Sequence, residues 1–424
     1  MFIFKEEKAV SRKLFPIGFW STLDAVKFGV EGVKDWKDFG ATVGFTGFYN
    51  YNPDKEKMLE IFDECEKQGI EMFLVDQRTD AKNLNNDKYF YDILEKNVSD
   101  FANHPAVRGF FICDEPNEHT KENAVEVISK YNELCPEKET IVNLLPWMPP
   151  DRNVHSLLLS ENDDDYSQRI IDFIKKSKTT YLMFDCYVQF QDRVPNEFWL
   201  NAYFKNLNLF KNCADEANVD LWFNGLATGH GGYRCPNQDE FRWQLSTAVA
   251  HGVQGFFYWF MYSEKYNINY RCHPINQFNE RTDSFRWIST ENRIFQMVYG
   301  ALFNELKLEK VYHVHKSYAG TELLNEENDE FIKEVRSYDE HDNFVPAIIS
   351  RFKRPDDDRT YYALVNNSTE ASTATYVKFK KKVEYYWIEN YWEEIGVHRL
   401  SECEPDSEKH FWCAPGQLWV FAVK

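Results

Sequence analysis

No run of about 20 apolar residues, the length a membrane-spanning helix requires, occurs in this chain. The opening MFIFKEEKAV carries charge by its fifth residue and forms no apolar h-region, so no secretory leader is expected. Basic charge is also scarce: 49 Lys and Arg stand against 68 Asp and Glu, a net charge of −19. A nucleic-acid binder needs a basic surface to displace counterions from phosphates, and the short run KFKKK at Lys378–Lys382 does not make one. An acidic surface likewise disfavours anionic membranes and polyanionic substrates. Nucleic acid and membrane are therefore excluded as partners, and a neutral ligand fits. The nine cysteines include no CxxC pair and match no zinc spacing, so neither metal nor other cofactor is expected. Several lie in apolar runs, where Cys acts as a small hydrophobe. With the missing leader, they predict reduced thiols and a cytoplasmic location. An oligomer is compatible with the sequence.

Aromatic residues are abundant: 12 Trp, 24 Tyr and 35 Phe make up 17% of the chain. Such an excess fills cores, and it also supplies flat platforms for a stacking ligand. The negative charge disfavours a nucleobase in that role and leaves a sugar ring.

From residue 14 to about 300, short apolar runs alternate with amphipathic segments. The runs are Leu14–Trp20, Val43–Tyr49, Glu71–Gln77, Val107–Asp114, Thr140–Trp147, Tyr181–Val188, Val219–Phe223 and Val253–Phe260. They lack polar alternation, as strands buried on both faces do. Between them, DKEKMLEIFDECEKQG puts Met58, Leu59, Ile61, Phe62 and Cys65 on one stripe, with Gly69 as the stop. DYSQRIIDFIKKSK and DEFRWQLSTAVAHG share the same plan. Eight such units predict an α/β fold, a (β/α)8 TIM barrel over residues 1–306. A doubly wound open sheet is the competitor, and no GxGxxG comes after the first strand to support its nucleotide-binding form. Beyond Lys307 the runs FIKEVRSYD, FVPAIISRFKR, TYYALVNNS, TATYVKFKKK, EYYWIE and QLWVFAVK are strand-like and separated by turn residues. They predict a small antiparallel β-sandwich over 307–424, which carries no site motif and reads as a structural cap.

Active sites of such barrels lie at the carboxyl ends of the strands. The residues at and just beyond the ends of the eight runs include Trp20, Tyr49, Asp76, Asp114, Glu115, Asn143, Trp147, Asp185, Tyr187, Asn224, His230, Tyr233, Trp259 and Glu264. Acids, amides and rings are the furnishing of a sugar site: acids for general acid, base or nucleophile, amides for hydroxyls, rings for pyranose faces. Glu115 leads, because Phe110, Phe111 and Ile112 precede it and an apolar setting keeps a carboxyl protonated. Asp114 is its orienting neighbour, and Asp185 is the second carboxylate, with Asp76 and Glu264 competing. The plainer alternative is that Asp114 or Glu115 caps the next helix. A metal reading would gather Asp76, Glu115, Asp185 and His230, but it has one histidine where metal-dependent sugar isomerases use more. A carboxyl separation of about 5–5.5 Å would argue retention of configuration, and about 6.5–9.5 Å inversion.

At GFFICDEPN the chain resembles the fourth strand of clan A glycoside hydrolases, where the acid/base Glu stands before Pro. It is more similar still to barrel-plus-sandwich proteins of the beta-galactosidase-like and cellulase-like kind. These share the DEP, an Asp followed by Tyr after strand six, and a tail like LATGHGGYRCPNQDEFRWQLSTAVAHGVQGFFYW. The resemblance implies glycosidase activity on a neutral oligosaccharide or glycoside, with Glu115 as acid/base and Trp259 flooring the sugar subsite. It departs at strand seven, where the clan's nucleophilic Glu has no counterpart and LWFNGLATG offers Asn224. The adjacent Asp–Glu pair also resembles hexosaminidases that use the substrate's acetamido group, in which Asp114 would orient that group and Glu115 would be the acid. A non-catalytic carbohydrate-binding barrel is the remaining alternative.

Overall fold

The structure, a computed structural model, describes residues 14–21, 23, 29–49, 54–85, 88–148, 160–190, 197–263, 267–355, 357–391 and 394–424, with side chains given outside 389–399. Eight parallel strands form one sheet in the order β1-β8-β7-β6-β5-β4-β3-β2. They are β1 (Ile17–Phe19), β2 (Val43–Phe48), β3 (Glu71–Val75), β4 (Val107–Asp114), β5 (Glu139–Leu144), β6 (Tyr181–Asp185), β7 (Asp220–Leu226) and β8 (Gly255–Trp259). Helices α1 (Glu31–Phe39), α2 (Lys55–Gln68), α3 (Lys88–Phe101), α4 (Lys121–Leu134), α5 (Asp163–Ser177), α6 (Glu197–Ala217), α7 (Gln238–Ala250) and α8 (Asp283–Phe295) succeed them in turn. Thr42 closes the barrel between its first two strands: its N–H donates to Ile17 O at 2.9 Å and its Oγ1 accepts from Ile17 N at 3.1 Å. The fold is the (β/α)8 barrel that the alternation of runs predicts.

Local chemistry explains the helix limits. Asp54 caps α2 by accepting from Lys57 N at 3.2 Å, and Gly69 ends it in the left-handed region at φ 69°. Its buried stripe is Met58, Ile61, Phe62 and Cys65; Leu59 of the predicted stripe is only partly buried. Asn237 and Glu240 form a reciprocal capping box at the start of α7.

Two antiparallel sheets complete the chain. One holds β10 (Ile332–Tyr338), β13 (Thr373–Phe379) and β16 (Glu408–Cys413); the other has the order β15-β14-β17-β12-β11-β9. Its members are β9 (Lys307–Val314), β11 (Ala347–Lys353), β12 (Thr360–Asn366), β14 (Val383–Tyr391), β15 (Glu394–Cys403) and β17 (Leu418–Val423). The sandwich joins the barrel through apolar packing: Ile348, Phe352, Tyr361, Val365 and Val420 belong to the same buried cluster as Trp243 and Phe303. Trp243 Nε1 donates to Asn367 Oδ1 at 2.8 Å across this seam, and Gly416 at φ 68° passes so near Trp243 that a Cβ would meet its backbone at 2.6 Å. No described helix is long and apolar enough to cross a membrane.

The cysteines differ from expectation. Cys235 and Cys272 form a disulfide, while the other seven are free and buried. The partners lie 37 residues apart on the loops after β7 and β8, so no local spacing marks them.

Candidate active site

The carboxyl end of β4 runs straight into the barrel mouth. Glu115 then turns the chain in the left-handed region at φ 47°, a conformation costing a non-glycine residue about 1–3 kcal/mol. Its N–H is held by Asn143 O at 2.9 Å, and Pro116 forbids further strand pairing. Because α4 begins only at Lys121, neither Asp114 nor Glu115 caps it.

Asn143, at the end of β5, is the hub. Its Nδ2 donates to Asp114 Oδ1 at 3.0 Å and to Asp185 Oδ1 at 2.9 Å. Its Oδ1 accepts from Asn224 Nδ2 at 2.9 Å, and Asn224 Oδ1 accepts from Trp20 Nε1 at 2.8 Å. An indole N–H only donates, so Trp20 fixes the orientation of Asn224, Asn224 fixes that of Asn143, and both Asn143 hydrogens face carboxylates.

Three carboxyls thus crowd one buried spot. Burial, then the charges of Asp114 and Asp185, push the Glu115 carboxyl up to about 8. Burial pushes Asp185 up to about 7 against the pull of the Asn143 hydrogen bond, and raises Asp114 against the same bond. Lys82 pulls Asp114 and Glu115 the other way, by less than burial raises them. That cation sits on the 3-10 turn Ala81–Asn83, and nothing periodic in the sequence marks it.

Around the acids stand rings. Trp20 packs edge-on against Phe111, Phe45 and Trp259 at 5.1, 4.7 and 5.0 Å. A second wall, on the loops after β6 and β7, has Tyr187 meeting Tyr233 at 5.4 Å and His230 at 6.2 Å. His230 Nδ1 is bonded to Thr228 O at 2.9 Å, which leaves Nε2 as an acceptor on a ring that burial keeps neutral. Phe190 and Tyr270 extend this wall, packing on Tyr233 at 4.7 Å and on His230 at 5.4 Å; the sequence does not mark them, because only this tertiary packing brings them to the site.

Other expected site residues are used elsewhere. Asp76 takes Arg78 Nε and Nη2 at 2.9 and 2.6 Å and Asn97 Nδ2 at 3.0 Å, so it braces its own loop. Tyr49 is buried edge-on against Phe101 at 5.3 Å, in the layer between strands and helices. Trp147 is pinned to α6: its N–H donates to Asn206 Oδ1 at 2.7 Å and Lys205 Nζ lies 4.1 Å from its ring. Trp222, inside the run Val219–Phe223, is fully buried beside Tyr181 at 4.2 Å, near the strand starts, and so lines no cleft. Glu264 lies outside the described residues. Asp76, Glu115, Asp185 and His230 do not gather within reach of one ion; among the described residues, three ligand atoms lie within 4.8 Å of one another only at Asp63, Glu66 and His104, on the outer surface.

The sequence matches no protein-family model and no curated protein. In three dimensions the chain is similar to a glycoside hydrolase with a TM-score of 0.58 at 9% identity, over 96% of this chain and 92% of that one. It is similar to a family 5 glycoside hydrolase from Bacteroides vulgatus, with a TM-score of 0.55 at 11% identity, over 96% and 89%. A beta-galactosidase from the psychrophilic Marinomonas ef1 matches with a TM-score of 0.50 at 9% identity, over 66% of this chain and 59% of that one. The first two likenesses span barrel and sandwich together. The fold is therefore a TIM barrel with a C-terminal β-sandwich, an architecture found in solved glycoside hydrolases.

Proposed function

We propose that this protein is a glycoside hydrolase acting on a neutral glycoside, with Glu115 as general acid. The observation that carries the reading is a half-buried carboxyl at the barrel mouth, pushed up to about 8 and so protonated at neutral pH. Its proton passes to the departing glycosidic oxygen. Asp185 is the second carboxylate, attacking the anomeric carbon or activating water, with Asn143 stabilising its ionised form. Asp114 shares that amide and, by like charge, helps to keep Glu115 protonated. Trp20, Trp259, Tyr187 and Tyr233 supply ring faces for the sugar, and His230 Nε2 accepts from a hydroxyl. The fold likeness to glycoside hydrolases agrees with this reaction class.

The test is a panel of nitrophenyl β-galactoside, β-glucoside, β-xyloside and N-acetyl-β-glucosaminide. On the methyl glycoside or disaccharide of the sugar so identified, whose departing alkoxide needs a proton, Glu115→Gln should lower kcat by about 10²–10⁴; unchanged hydrolysis of that substrate removes Glu115 from the mechanism. Sugar binding without hydrolysis of any member by the wild type points instead to a carbohydrate-binding barrel.

The Asp114–Asn143–Asp185 bridge favours one second reading, substrate-assisted hydrolysis of a 2-acetamido sugar in which Asp114 orients the acetamido group. It requires that the N-acetylglucosaminide alone be cleaved, and that Asp114→Ala be more damaging than Asp185→Asn.

A further inference from the structure

The outer face of the small sandwich sheet is aromatic where such a face is normally polar. Strand alternation sends Val335, Val377 and Phe411 inward and leaves their neighbours outside. In register across the sheet, Arg336 opposes Tyr376, which opposes His410; one pair further on, Tyr338 opposes Ala374, which opposes Trp412. His410 stacks on Tyr376 at 4.7 Å and 9°, and Trp412 meets His410 at 4.8 Å, giving a continuous strip of rings. Trp412 is 71% exposed, and the residue paired with it across the sheet is only a methyl. Tyr338, itself stacked on Phe344 at 5.0 Å, and Trp412 therefore stand on either side of Ala374, on strands about 10 Å apart.

We propose that this face is a second glycan-binding site, separate from the barrel mouth, where a neutral oligosaccharide lays an apolar ring face on Trp412 and one residue enters the slot over Ala374, while Tyr376, held between His410 and the Arg336 guanidinium, supports the strip from beneath. Two observations choose this occupant. The charges at the strip are already paired: Arg336 with Glu408 at 2.5 Å and with Glu334 at 3.5 Å, and Lys378 with Asp406 at 3.6 Å, which leaves little field for an ionic ligand. The face is also small. Three strands of six or seven residues cover about 300 Å², well below the roughly 800 Å² per partner of a stable protein interface. A planar ring as exposed as Trp412 suits a pyranose, which offers C–H faces to a ring and hydroxyls to solvent.

The experiment uses the full chain carrying Glu115→Gln, so that hydrolysis does not consume the probes: cellohexaose, xylohexaose, laminarihexaose and galactotetraose. Titration calorimetry should find, for at least one probe, a site whose Kd rises tenfold or more when Trp412→Ala is added. Ala374→Arg, which fills the slot and keeps the rings, should have the same effect. The thermal midpoint should not move. Binding that ignores both substitutions, or no binding by any probe, overturns the proposal. The face stands independently of the barrel chemistry: if wild type cleaves no glycoside, a Trp412-dependent site still upholds it, and a Trp412-independent site reports the barrel alone.

Discussion

Trp20 Nε1 donates to Asn224 Oδ1 at 2.8 Å, and that bond orients two further side chains before it reaches an acid. Trp20→Phe keeps the ring packing and deletes the donor. Asn224 is then free to flip and Asn143 loses its enforced direction. The expected loss is about tenfold in kcat with KM little changed. Asn143→Ala, which removes the donor to both acids, should cost about 10²–10³. Steady-state kinetics on the best panel substrate measure both, and equal effects of the two variants would refute the ordered chain.

The pH profile of kcat/KM should be a narrow bell. Its alkaline limb lies near pH 8, where Glu115 loses the proton it must donate, and its acid limb near pH 7, where Asp185 becomes protonated. In Glu115→Gln the residual activity should lose the alkaline limb and keep the acid one.

Stability should report the same carboxyl without any substrate. The folded-state value for Glu115, about 8, lies above its ordinary 4.5, so the protein is stabilised at low pH and loses that contribution as pH rises through 8. Glu115→Gln should therefore be more stable than wild type at pH 9, by on the order of 2 kcal/mol. Urea unfolding at pH 6 and pH 9 decides it; an equal difference at both values would count against a buried, strained acid.

At the seam between barrel and sandwich, the His251 and His313 rings lie 5.9 Å apart, both buried and each with its Nε2 unpartnered. Burial pushes His251 down to about 4 and His313 to about 3, so both are neutral when folded. The unfolded chain takes up these protons first, near pH 6.5. The pair's contribution is thus complete above 6.5 and falls below it, by about 1.4 kcal/mol per pH unit for each ring. His251→Gln should flatten the fall in urea midpoint between pH 6.5 and 5.

The Cys235–Cys272 bond ties together two loops that also pair through Gly229 and Arg271 by backbone bonds of 3.0 and 2.8 Å. Thiol titration of the denatured, unreduced protein should find seven free thiols and, after reduction, nine. Closing a loop whose ends are 37 positions apart stabilises a chain by about 3–4 kcal/mol, so the reduced form should unfold at lower denaturant.

The sequence by itself determined the strands of the barrel and the residue at the tip of β4. A strand buried on both faces has to be apolar throughout, and a helix between two strands has to show one stripe and a stop; both are local demands that local composition records. Glu115 was legible for the same reason, as a carboxyl next to an apolar run and before a proline. Strands β9, β15 and β16 left weaker marks because a sandwich strand is buried on one face and its exposed side is free to vary. Tertiary structure alone decided the partners. Asp76 and Tyr49 immediately follow their strands and Trp147 lies three residues past its own, while Asn143 and Asp185 lie at the ends of theirs, yet Arg78, Phe101 and Asn206 hold the first three away from the mouth. Where a side chain points after a strand ends depends on loop geometry and on contacts distant in sequence. Asn143 reaches Asp185 across 42 residues and Asn224 reaches Asn143 across 81, and only closure of the barrel brings them into one chain of hydrogen bonds.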